Sequence, residues 1–442
     1  MKAKWLPLSA VVALALSSAA ASAVDFHGYA RAGMQASTQG GEVYCLGNGT
    51  NGHKVGRLGD ECDTFAEFVF SQEVYNKANN KFTINSLIAY GTNEVGYDNQ
   101  GNAWQGVGGE GPWADQRTSL RELWAGYTTD AGYTIWSGKR YYQRKDIHLW
   151  DLYYLNNSAY GAGIENISAG NLGKLNFAVT KGEIEFKTVG DDKYRRNTYE
   201  LDVRWNAIPV GFGTLDAAVI YAIPLISDKQ VEAVGENKPN TVKNSGALIT
   251  LDHASDVTTD SVSLMNHFIV QYGTNGYANV GTFGNHAGDN YAPDTDVQGV
   301  RAIDWGTFDA GNFGLGYAML WAHINSGEHH GDGDTGAWNP KRSGWEYAVT
   351  LRPEYKWTDF TRTTLEMGYS KMKAMSGDEN PDVYKFTLAQ QFTPGKGFWQ
   401  RPAIRFYVSY IGGDQFADVY KNKNKDEHEY QVTFGTQVEA WW

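Results

Sequence analysis

Along the last thirteen residues apolar and polar side chains alternate. Tyr430, Val432, Phe434, Thr436, Val438, Ala440 and Trp442 share one face, with Gln431, Thr433, Gly435, Gln437, Glu439 and Trp441 on the other. Alternation with period two is the signature of a strand with one apolar and one polar side. Pro402, Ile404, Phe406, Val408 and Tyr410 repeat it opposite Ala403, Arg405, Tyr407 and Ser409, as do Phe82, Ile84, Ile88 and Tyr90 opposite Lys81, Thr83 and Asn85. Further strands are predicted within Thr64–Phe70, Tyr199–Trp205, Leu215–Ile223, Met265–Tyr272, Phe313–Ala322, Tyr347–Trp357 and Tyr384–Phe392; Leu120–Tyr127 does not alternate cleanly. Gly, Asn, Asp and Pro clusters separate them, and no linker or composition break follows Val24. The pattern fits two architectures. In a soluble sandwich or propeller the apolar face packs inside; in a membrane barrel it meets lipid and the polar face lines a lumen. Apolar faces ending in Tyr, Trp or Phe, and a chain ending within a strand at Trp442, favour a single transmembrane antiparallel β-barrel over residues 24–442. At about 10 residues per strand the chain holds roughly 16 to 18 strands, with Thr92–Gly111, Gly273–Asp296 and Asn325–Lys341 as external loops.

Composition sharpens this. The chain has 442 residues, 51 of them Gly, with 14% aromatic but only 42% hydrophobic residues, and its mean hydropathy is −0.47. Disordered chains are poor in aromatics, and beyond the N-terminus no run approaches the ~20 apolar residues of a spanning helix. Low hydropathy with many aromatics suits a barrel, in which only alternate residues meet lipid. The N-terminus reads as a leader: Lys2 and Lys4, an apolar run from Trp5 to Ala20, then Ala21-Ser22-Ala23 as a cleavage site, giving residues 1–23 as a signal peptide. The net charge of −12, more negative once both lysines leave, argues against nucleic acid as a partner. Export with two cysteines predicts a Cys45–Cys62 disulfide, worth ~3 kcal/mol across such a loop; two thiols without His partners at ligand spacing predict no zinc site.

Aromatics on polar faces are the informative exceptions. Trp441 lies with Glu439 and Gln437, Trp399 with Arg401 and Arg405, Tyr29 with His27 and Arg31, and Phe65 with Glu67. In a barrel all four project into the lumen. A pyranose has an apolar C–H face that stacks on an aromatic ring and a rim of hydroxyls that bond to charged groups. Aromatics flanked by charges therefore let a sugar step between equivalent sites, and conduction needs binding weak enough to leave. The densest mixed stretch is Gln143–Tyr154, after a strand at Thr134–Arg140. Asp146, His148 and Asp151 read as metal ligands only weakly, with no His pair at helical spacing, and sequence does not supply the carboxylate separation that glycoside hydrolysis requires. A loop folded inward to narrow a pore accounts better for the mixed signs.

The residues then resemble a family. Val24–Arg31, Arg57-Leu58-Gly59-Asp60-Glu61-Cys62 with Cys45 upstream, Ile135–Arg144 leading to Asp146, His148, Asp151 and Tyr153, Gly161–Ile167, Thr387–Gln391, Trp399–Arg405 and the closing Trp441-Trp442 are similar to the maltoporins, sugar-specific outer-membrane porins of Gram-negative bacteria. The resemblance covers the mature chain and is weakest between about 181 and 361. It implies an eighteen-stranded barrel, a homotrimer in outer-membrane lipid, and diffusion of maltose and maltodextrins with no chemistry and no cofactor. It implies an aromatic slide of Tyr29, Phe65, Trp399 and Trp441, with Trp113 contributed to a neighbouring subunit, a constriction tyrosine at Tyr153, and a polar track of Arg31, Arg57, Glu67, Arg121, Arg144, Asp146, His148 and Asp151. Two positions depart from the family pattern. Phe65 stands where a tyrosine is usual, losing a hydroxyl. Met265 stands at a slide phenylalanine; it is apolar and adaptable but offers a sugar no flat face.

Overall fold

The computed structural model describes residues 24–40, 43, 45, 54–61, 64–92, 116–187, 193–234, 244–259, 261–278, 297–326, 329–330, 338–339, 342–373, 380–417 and 428–442. Among them, one antiparallel sheet of 18 strands closes on itself. Each strand pairs with its predecessor, and the first, Asp25–Ser37, also pairs with the last, Tyr430–Trp441, with Tyr29 opposite Trp441 and Arg31 opposite Glu439. Closure leaves no unpaired edge. Connections at one end are mostly turns as short as those between Asn80 and the preceding Lys77 or between Val210 and Gly213; most of those at the other end are longer. Outer-membrane barrels share this asymmetry.

The parity reading carries over to the wall. Phe434 and Val438 are half exposed on the outside, while Gln431, Thr433, Gln437 and Glu439 are buried on the inside. Ile404, Phe406 and Val408 point outward, and Arg405, Tyr407 and Ser409 inward. Aromatics gather towards the strand ends: Tyr410 stacks on Tyr384 and Tyr430, and Tyr355 meets Trp357. The irregular stretch has a physical cause. Opposite Leu87 and Ile88 the strand Gln116–Thr128 carries one extra residue, Arg121, as a bulge. Leu120 and Leu123, of opposite parity, are therefore both outward, at 47% and 51% exposure. A bulge reverses parity and re-aims a side chain.

One expectation needs correction: the inner wall is not uniformly polar. Across the strands Gly213–Leu225, Gly246–Thr258, Val262–Thr274, Val297–Ala310 and Phe313–Ser326, the inward residues Ile220, Leu248, Ile269, Ile303 and Leu320 are all buried in one apolar cluster. The cluster is covered by a loop from inside the barrel. Between Arg140 and Ala159 the chain turns into the lumen as a short ribbon, Lys145–Ile147 paired with Leu152–Leu155. Ile147, Leu149, Trp150, Leu152, Tyr154 and Leu155 face that wall, and Trp150 Nε1 donates to Thr350 Oγ1 at 2.8 Å.

A second inward segment, residues 54–61, is buried against the inner faces of the strands Arg342–Lys356, Thr361–Lys373, Asp382–Phe392 and Ala403–Gly412. Leu58 N–H donates to Glu366 at 2.9 Å, and its carbonyl accepts from Lys385 and Thr387. The segment lies so close to the wall that a Cβ on Gly368 would strike the Val55 carbonyl. Cys45 is buried beside Gln35; Cys62, residues 1–23, for which a signal peptide is expected, and Trp113 lie outside the described residues.

Candidate functional site: the constricted lumen

The two inward segments meet where Arg57 N–H donates to the Leu149 carbonyl at 3.1 Å. In the inward ribbon the turn 148–151 sorts side chains by chemistry: Leu149 and Trp150 go to the wall, His148 and Asp151 to the lumen. Asp151 holds φ of 49°, a conformation that Asp tolerates better than most residues. Asp146 sits opposite Tyr153 in the ribbon. The Arg144 guanidinium lies between two rings, 3.9 Å from the Tyr141 centroid and 4.2 Å from that of Tyr153. Tyr141 donates to Glu67 at 3.2 Å, and Arg121 and Arg144 flank that carboxylate.

Against the lumen side of the ribbon, charges and rings share one strip. Arg57 Nε donates to Glu61 at 2.7 Å, and Arg57 also bonds Tyr29 Oη at 2.6 Å and approaches His148 Nδ1 at 3.2 Å. Arg31 reaches Glu61 at 3.0 Å and Asp151 at 3.4 Å, and lies over the Phe65 ring. Glu439 collects Arg405 at 2.6 Å, Arg401 at 2.7 Å, His148 at 3.2 Å and the Tyr29 hydroxyl at 3.1 Å. The rings run alongside. Tyr29 and Phe65 are 6.1 Å apart, and Tyr29 and Trp441 are direct cross-strand neighbours. His148 meets both Trp441 and Trp399 edge-on at 5.5 and 5.4 Å, and Arg401 covers Trp441 at 4.3 Å.

Of the expected site residues, the structure gathers Tyr29, Phe65, Trp399, Trp441, Tyr153, Arg31, Arg57, Glu67, Arg121, Arg144, Asp146, His148 and Asp151 around one lumen. Trp399 does so from the connection before Ala403, not from a strand, so its parity with Arg401 and Arg405 is not what aims it. Met265 faces inward and packs with Trp399 against the apolar cluster. Sequence reasoning missed Glu61, Glu439 as the hub of the charges, and Arg401. The signal was present for Glu439, an acid on the polar face two residues before Trp441. Among the described residues no group of His, Cys, Asp and Glu is arranged to hold a metal ion.

Burial of His148 pushes its imidazole below the usual histidine range, and the neighbouring Arg57 acts in the same direction against Glu439. Burial pushes the Asp146 carboxyl up. For His148 the unfolded chain binds the extra proton first. Its contribution to stability is therefore complete above about pH 6.5 and is lost as pH falls through the lower folded value. Thermal denaturation of the wild type and His148→Gln between pH 7.5 and 5 is expected to show a steeper acid loss in the wild type; parallel curves would contradict the assignment.

A closed antiparallel barrel with a loop packed inside its lumen, lined by rings and charges, has the architecture of an outer-membrane porin. The family model described as LamB porin matches residues 24–442, and the chain belongs to that family. It is 32% identical over 447 residues to a maltoporin of Hahella chejuensis (strain KCTC 2396), covering 99% of this chain and 98% of the relative. Solved barrels similar to it include OccAB1 of Acinetobacter baumannii, at 10% identity and TM-score 0.49 over 96% of this chain and 98% of that one. Another is OpdK of Pseudomonas aeruginosa, at 8% identity and TM-score 0.48 over 95% and 98%.

Proposed function

We propose that the protein lets maltose and maltodextrins diffuse down their gradient across the outer membrane, as a homotrimer, along Tyr29, Phe65, Trp399 and Trp441. The observation that carries this reading is the register at barrel closure. Tyr29 stands opposite Trp441, and one step along the same face Arg31 stands opposite Glu439. A row of rings thus runs beside a row of charges, matching the C–H face and hydroxyl rim of a glucosyl unit. The LamB family and the maltoporin relative support the sugar class. Arg144 clamped against Tyr153 supports a fixed narrowing at the ribbon. Trp113, Phe65 without a hydroxyl, and the Cys45–Cys62 bridge complete the reading.

The test is ion current through the reconstituted protein during titration with maltohexaose, beside liposome swelling with maltotriose and an unrelated trisaccharide of equal size. Saturable block and faster entry of maltotriose are the expected results. Equal swelling rates would favour a porin of the same family for another sugar, such as sucrose or an aryl-glucoside.

A further inference from the structure

Past Trp399 the row of rings reaches Phe398, 5.0 Å away and buried in the apolar cluster. Met265 packs against the same cluster but gives a sugar no flat surface. Two residues further along the same strand face, His267 lies parallel to its cross-strand neighbour Trp305, with centroids 5.0 Å apart and planes at 11°. The indole is 8% exposed, and its Nε1 has no hydrogen-bond partner among the described residues. The imidazole side chain keeps 21% of its surface open. Its tilt is fixed by Asp252, whose Oδ1 is 2.9 Å from His267 Nδ1. Asp252 is itself held by Lys145 at 2.7 Å, and Lys145 also bonds Asp216 at 2.6 Å. Lys145 and Asp216 are 22% and 28% exposed. A flat ring backed by an indole, with a partly exposed ammonium and carboxylate nearby, repeats the pairing of ring and charge found at Tyr29 and Trp441.

We infer that the His267–Trp305 stack, flanked by Lys145 and Asp216, forms a further sugar-stacking subsite beyond Met265, engaged by the far end of a long maltodextrin. The inference rests on the sugar reading above. The Trp305 face of the imidazole is taken; the opposite face receives the C–H surface of a glucosyl unit, and Lys145 and Asp216 bond its hydroxyls. Chain length discriminates this subsite from the others, because maltose fills the rings around Tyr29 and Trp441 without reaching His267.

The experiment is current block by maltohexaose and by maltose in the reconstituted full-length protein, for the wild type, His267→Ala and His267→Phe. Alanine is expected to weaken maltohexaose binding about five-fold, the scale of one lost aromatic contact, and to change maltose binding less than about two-fold. Phenylalanine, which keeps a flat ring and loses the Asp252 contact, is expected to stay within about two-fold of the wild type for both sugars. Unchanged maltohexaose affinity in the alanine variant overturns the subsite. So does an equal loss with alanine and phenylalanine, or an equal loss for the two sugars, either of which marks a structural role. If the alanine variant does not assemble, Met265→Phe decides: bridging the gap is expected to tighten maltohexaose about three-fold, and no change rejects the subsite. A wild type that maltohexaose does not block rejects the sugar reading itself, and the subsite with it.

Discussion

Replacing Glu439 by glutamine is expected to cost the barrel about 3 kcal/mol, because removing one member of a buried ion cluster leaves the others charged and uncompensated. The carboxylate is 2% exposed and faces Arg401, Arg405, Arg57, His148 and the Tyr29 hydroxyl. Glutamine keeps the shape but removes the charge those guanidinium groups need. Because Glu439 also ties the ring strip to the inward ribbon, the variant should lose maltohexaose affinity together with heat resistance. Glu73 supplies the contrast. It pairs with Lys81 at 3.2 Å, but the two side chains are 33% and 45% exposed, and water screens such a surface pair so that it contributes little. Denaturation of Glu439→Gln and Glu73→Gln side by side in detergent checks this; equal shifts would show that water in the lumen screens Glu439 as it does a surface acid.

Trp441→Ala is expected to weaken maltohexaose block about ten-fold, or roughly 1.4 kcal/mol, while leaving the channel open to ions. Trp441 lies beside Tyr29, under Arg401 and against the edge of His148, so its removal interrupts the ring row at its centre. Tyr29 and Trp399 remain on either side and limit the loss to one stacking site. Current block at several maltohexaose concentrations measures the change directly. An unaltered midpoint would mean that the sugar does not travel along this strip.

Much of the architecture was legible because period two survives wherever one face of a strand meets lipid and the other meets polar groups. Tyr29, Phe65, Glu67 and Trp441 were aimed correctly by parity alone. Three things were hidden, each for a physical reason. The bulge at Arg121 adds a residue to one strand, which no count of alternate positions detects. The strands behind the ribbon are apolar on both faces: Val219 and Tyr221 point outward while Ile220 and Ala222 are buried inside. Such a run carries no sign of which face meets lipid. Residues 54–61 follow no period, since their backbone is held by Glu366, Lys385 and Thr387 from strands some 300 residues away in sequence. Arg57 was therefore reached only through resemblance, and Glu61 not at all.

The apolar seat of the inward ribbon determines how the pore behaves as a sieve. A loop tethered only at its ends would let the opening widen and close with thermal motion, blurring the largest solute admitted. Here Leu149, Trp150 and Leu155 are immobilised like any protein core, and Arg144 is wedged between Tyr141 and Tyr153. The opening is thus machined into the wall. Its cutoff should be sharp, its unliganded current quiet, and both should change little with temperature until the barrel itself comes apart.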